Sequence, residues 1–362
     1  MRTLPLAVLA ALLLGAGPAP AADKVVKVFN WADYVDPAVL EEFTARTGIK
    51  VVYDTFDSND ILETKLLAGR TGYDVVVPTS NFLARQIKAG IFQPLDRQKL
   101  PNWGNLDPLL LERVAKFDPG NKHAFVYMWG TSGIAYDVNK IKERMPDAPL
   151  DSWRLLFDPE IVAKFADCGV YVLNAPEEGL PAMLNYMGMS PETKKVEDFE
   201  KAVAAFEKIR PSIRKFHSSE TINALAGGDI CLAMMWSGDA GIARARAEEA
   251  KNGVEIAYVI PKEGAQIWFD MVAMPKDAPS PDDAYAFMSY LMEPEVIAKI
   301  SDKVTYANGN AKALPLVDAA LRDDPNVYPP PEVMARLFTL EPYDARLQRQ
   351  VTRLWSQLVQ GR

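Results

Sequence analysis

Short runs rich in β-branched residues alternate with segments of helical periodicity along this chain, and the alternation constrains the fold more than any other feature. The runs lie at residues 25–30, 49–56, 73–78, 124–129, 169–173 and 230–235, with two later ones at 254–260 and 267–274. Strands that alternate with helices are typical of α/β folds with mainly parallel sheets. The sequence therefore predicts an α/β protein.

The first helix carries clear signals at both ends. Asp36 can cap its N-terminus, and Pro37 suits the first helical position because its fixed φ is already helical. Val39 and Phe43 fall on one apolar face, and Gly48 is typical of a C-terminal end. We predict a helix that begins at Pro37 and ends before Gly48.

The length of 362 residues predicts two to three folding units at ~150 residues each. A block of about domain size separates the strand near Trp129 from the two late strands, which indicates that one lobe is inserted into the other. We expect the chain to cross between lobes at 127–130 and 253–256. The predicted bounds are residues 23–128 and 256–311 for lobe 1, and residues 129–255 and 312–362 for lobe 2.

The N-terminus has the pattern of a secretory signal peptide. Arg2 gives a short positive start, residues 4–14 form an uncharged apolar run, and small residues follow at 19–22. The apolar run is too short for a permanent anchor, and no later stretch reaches the ~18 apolar residues of a membrane helix. We predict cleavage near Ala21 or Ala22 and a mature chain that is exported and not inserted into a membrane.

Export changes the interpretation of the two cysteines, Cys168 and Cys231. In an oxidising compartment they favour one disulfide, whereas in the cytosol two buried thiols would be the better interpretation. A redox role is disfavoured because the spacing is not Cys-x-x-Cys.

Several classes of function lose their usual support. The net charge of −8 disfavours a nucleic-acid binder, and only two histidines are present, without a zinc-binding cluster. No phosphate-binding loop, dinucleotide fingerprint or Gly-x-Ser-x-Gly elbow occurs. His217 beside Ser218 could be a base and a nucleophile, but a helix start capped by serine is the favoured interpretation.

An aromatic residue recurs close to a carboxylate near strand ends. The pairs are Trp31 with Asp33, Trp236 with Asp239, and Trp268 with Asp270. Taken singly, Asp33 and Asp239 could be helix caps and the tryptophans could be packing residues. Taken together, carboxylates walled by aromatic rings at the carboxyl ends of strands suit an organic cation, which gains charge pairing and cation–π contacts.

Six motifs carry a family resemblance: Asn30-Trp31-Ala32-Asp33-Tyr34, Val75-Val76-Val77-Pro78-Thr79, Asn174-Ala175-Pro176-Glu177-Glu178, Trp236-Ser237-Gly238-Asp239, Trp268-Phe269-Asp270 and Tyr306-Ala307-Asn308. In this order the chain resembles the periplasmic polyamine-binding proteins of ABC importers, closest to the putrescine-binding branch. The resemblance implies a two-lobed periplasmic-binding-protein fold of type II and a Cys168–Cys231 bridge. It also implies a periplasmic monomer without cofactor or metal, which passes a polyamine to an inner-membrane ABC permease.

The resemblance also implies roles for single residues. The rings around the alkyl chain and its ammonium groups would be Trp31, Tyr34, Trp236, Trp268 and Tyr306. The acids that pair with the charged ends would be Asp33, Glu178, Asp239 and Asp270. Thr79 would stand where relatives have a serine hydroxyl.

Some positions depart from the family pattern. Ala32 lacks a hydroxyl that many relatives carry, and Asn81 replaces a small residue near the mouth. Trp268 resembles the spermidine-selective relatives, whereas Ala175 lacks the extra acid of some spermidine binders. The choice between putrescine and spermidine stays open.

We therefore expect a receptor for putrescine or spermidine that is not an enzyme. One alternative is a receptor for another amine or for a sugar, since sugar sites also use tryptophan faces and aspartates. An exported glycoside hydrolase is the alternative from another class, with Glu178 and either Asp239 or Asp270 as its two acids. A third alternative is a binding protein that mainly signals to a sensor or regulator.

Overall fold

The computed structural model describes residues 24–361, and the predicted signal peptide, residues 1–22, lies outside them. Within 24–361 no helix is long and apolar enough to cross a membrane. The strands are β1 (Val25–Trp31), β2 (Lys50–Phe56), β3 (Val75–Val76), β4 (Ala124–Asp137), β5 (Val170–Val172), β6 (Lys215–Phe216), β7 (Leu232–Trp236), β8 (Ile256–Val259), β9 (Gln266–Ala273) and β10 (Ala307–Asn308). Each of the eight predicted runs overlaps one of these strands.

Helices connect and cover the strands. They are α1 (Pro37–Thr47), α2 (Asn59–Ala68), α3 (Ser80–Lys88), α4 (Pro108–Val114), α5 (Val138–Arg144), α6 (Arg154–Phe157), α7 (Pro159–Val162), α8 (Pro176–Tyr186), α9 (Val196–Ile209), α10 (Glu220–Ala226), α11 (Ser237–Ala250), α12 (Pro281–Leu291), α13 (Pro294–Val304), α14 (Ala319–Arg322), α15 (Pro331–Met334) and α16 (Ala345–Gln360). Short 3-10 turns lie at Arg97–Lys99, Pro101–Asn105, Ala163–Phe165, Arg210–Ser212 and Leu314–Leu316.

The signals at the ends of α1 act as predicted. The Asp36 carboxylate accepts a hydrogen bond from the Ala38 N–H at 3.0 Å. Gly48 has φ 72° and donates its N–H to the carbonyl of Thr44 at 2.8 Å. Glycine adopts a left-handed φ without steric strain, so this residue suits the end of the helix.

The sheet is mixed, which corrects the prediction of mainly parallel strands. Its order is β2-β1-β3-β9-β4-β7-β5-β6, and β8 and β10 pair with β4 outside this path. β1 is parallel to β2 and β3, and β5 is parallel to β6 and β7. The long strand β4 is antiparallel to all four of its neighbours, β7, β8, β9 and β10. The strands at each end of the sheet are therefore parallel to one another, and the antiparallel strands around β4 join the two ends.

The buried side chains form separate cores on the two halves of β4. Two clusters enclose β1, β3, β9 and the first half of β4, where Phe125 and Met128 lie. A third cluster encloses β5, β7, β8 and the second half of β4, where Ile134 lies. We call the parts built on these cores lobe 1 and lobe 2. The chain passes from the core of lobe 1 to the core of lobe 2 inside β4, between Trp129 and Ile134.

The later crossings lie elsewhere than predicted. Ile256 and Ile260 belong to the core of lobe 2, because β8 pairs with the second half of β4 and stays with it. The chain returns to lobe 1 only as it enters β9, where Ile267 is part of a lobe 1 core. Val327 also packs in lobe 1, and Tyr343 in lobe 2, so a third crossing lies between them. The predicted bounds at 256 and 312 therefore differ from the observed packing.

Cys168 and Cys231 are joined by a disulfide, which confirms that prediction. The bridge ties the segment before β5 to the start of β7, at a sequence separation of 63. The Cys231 N–H also donates to the carbonyl of Gly169 at 3.0 Å. The bridge therefore reinforces a parallel pair of strands inside lobe 2.

Replacing both cysteines, Cys168→Ala with Cys231→Ala, should lower the free energy of unfolding by about 4 kcal/mol, because a loop of this length is no longer closed in the unfolded chain. Urea denaturation with and without a reductant measures the loss. The wild type should lose the same stability when reduced, and the double variant should not respond to reductant. A variant as stable as the oxidised wild type would contradict the prediction.

Candidate ligand-binding site

A cavity opens between the two lobes. Eleven of the twelve predicted ligand residues line it: Trp31, Ala32, Asp33, Tyr34, Thr79, Glu178, Trp236, Asp239, Trp268, Asp270 and Tyr306. Asn81, on α3, is not among the lining residues. The fold thus brings together side chains that are more than 200 residues apart in the sequence.

The turn after β1 supplies the residues of the cavity mouth. The Ala32 N–H donates to the carbonyl of Phe56 at 3.0 Å, so the turn is tied to the end of β2. Asp33 has φ 53°, a left-handed conformation that aspartate tolerates better than most residues. Its half-exposed carboxylate lies 3.1 Å from the guanidinium of Arg246 on α11, in lobe 2. This ion pair bridges the two lobes.

Asp270 is held by hydroxyl groups on both of its oxygens. The Tyr34 hydroxyl donates to Oδ2 at 2.9 Å, and the Thr79 hydroxyl donates to Oδ1 at 2.7 Å. Thr79 in turn accepts from the amide of Asn59 at 2.9 Å and donates its N–H to the same amide at 3.1 Å. The carboxylate of β9 is therefore fixed by residues that follow β1, β2 and β3.

Asp239 does not cap α11, which was one alternative from the sequence. It lies in the first turn of that helix, and its carboxylate accepts from the Tyr306 hydroxyl at 2.7 Å. The same hydroxyl accepts from the Asp239 N–H at 3.1 Å. Gly238 permits this contact, because a Cβ there would lie 2.3 Å from the Tyr306 ring. A ring from lobe 1 thereby reaches a carboxylate of lobe 2.

Glu178 is buried. It lies in the first turn of α8, where its carboxylate accepts a hydrogen bond from the Ser132 hydroxyl of β4. Ser132 marks the point where β4 passes from its lobe 1 neighbours to its lobe 2 neighbours. The third acid therefore sits at the junction of the lobes.

The three buried acids have unusual proton affinities. Burial raises the pKa of each of Glu178, Asp239 and Asp270 to about 7, against the hydrogen bonds from neighbouring hydroxyls that favour the ionised form. A buried carboxylate without a cation is costly, and this cost drives the shift. A bound cation would favour the ionised carboxylates and lower these pKa values again.

Aromatic rings form a continuous wall along the cavity. Successive ring centroids lie 5.9 Å apart between Trp31 and Trp236, 6.4 Å between Trp236 and Trp268, 5.5 Å between Trp268 and Tyr306, and 5.2 Å between Tyr306 and Tyr34. All four pairs meet edge to face, which is a favourable geometry for aromatic rings. Such packing fixes the ring positions before any ligand arrives.

The charge of the lining is one-sided. Seven carboxyl side chains line the cavity, and among the described lining residues there is no lysine, arginine or histidine. The seven are Asp33, Asp57, Asp60, Glu177, Glu178, Asp239 and Asp270. This arrangement repels anions and attracts cations, and its aromatic walls suit the methylene groups between charged ends.

Sequence reasoning missed several lining residues. Asn59 and Asp60 open α2 directly after β2, and Ser218 and Ser219 precede α10. Asn59 follows a strand end as the predicted residues do, so the same rule could have found it. Ser218 was weighed only as a nucleophile or a cap. The structure records no cap bond from Ser219 and instead has His217 Nδ1 accepting from the Glu220 N–H at 3.2 Å.

Known proteins are similar to this chain along most of its length. The model of the bacterial extracellular solute-binding protein family matches residues 38–329. The putrescine-binding periplasmic protein SpuD of Pseudomonas aeruginosa is 53% identical over 349 residues, 96% of this chain and 95% of that protein. The putrescine-binding periplasmic protein PotF of Escherichia coli is 51% identical over 355 residues, 98% of this chain and 96% of that protein.

The fold is also found among solved structures. The spermidine/putrescine ABC transporter substrate-binding protein PotD from Streptococcus pneumoniae superposes with a TM-score of 0.75 at 30% identity, covering 92% of this chain and 98% of that one. The predicted family resemblance and the predicted fold class are thereby confirmed.

The raised pKa values predict how stability depends on pH. Glu178, Asp239 and Asp270 have a higher pKa in the folded chain than in the unfolded chain, where aspartate titrates near ~3.9 and glutamate near ~4.3. The folded protein therefore binds more protons between about pH 4 and pH 7, and the free energy of unfolding should fall as pH rises through this window. Urea denaturation of the ligand-free protein at several pH values measures it.

Asp239→Asn is the matched control, because it removes one of the three titrating groups without changing side-chain size. The decline in stability with pH should be shallower in this variant. Identical slopes for variant and wild type would contradict the assignment.

Proposed function

The chain belongs to the bacterial extracellular solute-binding proteins, and from that premise we propose that it is a periplasmic receptor for a polyamine, putrescine or spermidine. The observation that carries the proposal is the cavity lining, which has seven carboxyl groups, a continuous aromatic wall and no basic side chain among the described residues. A linear polyamine carries its positive charges at intervals along an apolar chain. Its ammonium groups would pair with the carboxyl groups, and its methylene groups would contact the aromatic wall.

Capture would work by matching buried acids with ligand ammonium groups. Asp270 of lobe 1 and Asp239 of lobe 2 are each fixed by a tyrosine hydroxyl, so little ordering is left to be done when the ligand enters. The rings of Trp31, Trp236 and Trp268 would cover the methylene groups and exclude water. Because the acids come from both lobes, a bound cation would hold the lobes together.

The receptor would then pass its ligand to an inner-membrane ABC permease. Relatives whose names refer to periplasmic polyamine binding and to ABC transport support this partner. We infer that no bond is made or broken. Raised carboxyl pKa values also suit a glycoside hydrolase, but here each acid is tied to a separate hydroxyl, and the relatives are solute-binding proteins.

Isothermal titration of the mature protein, freed of bound ligand, tests the proposal. The panel is putrescine, cadaverine, spermidine and spermine, with glucose as the neutral control. Saturable binding of one or two polyamines and no heat from glucose are expected. Binding of glucose, or no binding of any amine by a folded protein, would reject the polyamine receptor.

Asp270→Asn should weaken binding of the preferred polyamine by about 100-fold or more, because an ammonium group would lose its buried charge partner. Asp36→Asn is the matched control: Asp36 caps α1 outside the cavity, and asparagine caps a helix equally well. The control should bind as the wild type does. Equal affinities for the two variants would refute the role of Asp270.

Polyamine affinity should fall as pH is lowered from 8 to 6. The ionised forms of Glu178, Asp239 and Asp270 pair with the ligand, and below their pKa of about 7 protons must leave before the cation binds. The dissociation constant should rise by about tenfold per pH unit for each proton released. Titrations across this range measure the effect, and an affinity independent of pH would contradict it.

A further inference from the structure

Thr305 has a backbone conformation that threonine rarely adopts. It directly follows α13 with φ 56° and ψ 31°, in the left-handed region. A β-branched side chain is disfavoured there, and a helix that ends in this way usually has glycine at this position, as α1 has Gly48 and α16 has Gly361. Strain of this kind persists where surrounding contacts offset it, so the contacts of the Thr305 side chain decide why threonine is present.

The Thr305 hydroxyl reaches across to the other lobe. Its Oγ1 donates to the carbonyl of Gly238, in the first turn of α11, at 2.6 Å. The buried apolar residues of α13 belong to a core of lobe 1, whereas those of α11 belong to the core of lobe 2. The hydrogen bond therefore joins the lobes, and it is available only while they are together.

The next residue along the chain makes the neighbouring contact. The Tyr306 hydroxyl donates to the carboxylate of Asp239 at 2.7 Å and accepts from the Asp239 N–H at 3.1 Å. Because α13 ends at Val304 and β10 begins at Ala307, only Thr305 and Tyr306 connect this helix to this strand. The left-handed turn at Thr305 therefore sets the direction in which the Tyr306 ring leaves α13.

α11 has a surface that fits these two residues. Gly238 and Gly241 are three positions apart and lie on one face of the helix. A Cβ on Gly241 would lie 2.5 Å from Thr305 Oγ1, and a Cβ on Gly238 would lie 2.3 Å from the Tyr306 ring. Neither glycine has a positive φ, so the backbone of α11 does not itself require glycine. The close approach of lobe 1 is what requires it.

We propose that Thr305 is a positioning residue for ligand capture, whose hydroxyl bond to Gly238 holds the Tyr306 hydroxyl on Asp239 and thereby favours the closed lobes. Thr305 is not among the residues that line the ligand cavity, so it acts through Tyr306 and Asp239 and not on the ligand. The inference rests on the proposed function, because it assigns a role in binding at that same site. Its loss should weaken binding of every ligand by one factor.

The first test compares Thr305→Val, which keeps the branched shape without the hydroxyl, with Thr305→Ser, which keeps the hydroxyl. In isothermal titrations, Thr305→Val should weaken binding of putrescine and spermidine by the same factor, about fivefold or more. Thr305→Ser should stay within about twofold of the wild type. Thr305→Ala, compared with Thr305→Ser, repeats the test without the branched side chain.

Three results of this comparison would overturn the proposal. They are wild-type affinity in Thr305→Val, affinity in Thr305→Ser as low as in Thr305→Val, and an effect on only one of two amines that the wild type binds. Failure of the wild type to bind any amine would instead reject the proposed function.

A double-mutant cycle tests whether Thr305 acts through its neighbour. Tyr306→Phe removes the hydroxyl that contacts Asp239 and leaves the ring in place. In this background Thr305→Val should weaken binding by less than about twofold, because residues that act as one unit are not additive. The same factor in both backgrounds would show that the two residues act independently and would overturn the positioning role.

Thr305→Gly separates binding from stability. Glycine relieves the left-handed strain but has no hydroxyl, so the affinity should fall by about fivefold or more. The urea midpoint of the ligand-free variant should be at least as high as that of the wild type. A residue that served only the fold would lose stability and affinity together, so a lower midpoint with weaker binding would overturn the proposal.

Discussion

β4 is hydrogen-bonded along its whole length, and the arrangement of both lobes depends on it. One edge pairs first with β9 and then with β8, and the other edge pairs first with β10 and then with β7. The exchange of neighbours occurs around Ser132 and Gly133, where the two cores meet. Side chains or backbone from Tyr258, Val259 and Ser237 approach this stretch so closely that Gly130 and Gly133 have no room for a Cβ. One strand therefore belongs to both lobes.

The chemistry of the cavity follows from acids that are buried without a protein cation. Asp239 and Asp270 are oriented by hydroxyl groups, which fix their geometry but do not supply charge. The cost of desolvating them remains, and it appears as raised pKa values. The exposed pair of Asp33 and Arg246 differs in kind, because solvent screens it and it serves mainly to connect the lobes at the mouth.

Local signals allowed much of this structure to be predicted. The ends of α1 depend on Asp36, Pro37 and Gly48, whose effects act within one turn of helix. The aromatic–acid pairs could be predicted because carboxyl ends of strands meet at one edge of a sheet. The disulfide followed from compartment and family resemblance.

Other features depend on contacts between distant segments, which no local pattern encodes. β8 has the periodicity of any short strand, and only its pairing with the far half of β4 places it in lobe 2. Asp60 and Glu177 were missed as lining residues because an acid in the first turn of a helix looks solvated in the sequence until the fold brings it to the cavity. Asn81 shows the opposite case, a residue with a predicted role that is not among the lining residues of the cavity. Three of the chain's seven tryptophans, Trp31, Trp236 and Trp268, lie in the cavity wall, so a large share of the intrinsic fluorescence originates where a ligand would bind, and the unlabelled protein carries its own optical reporter of occupancy.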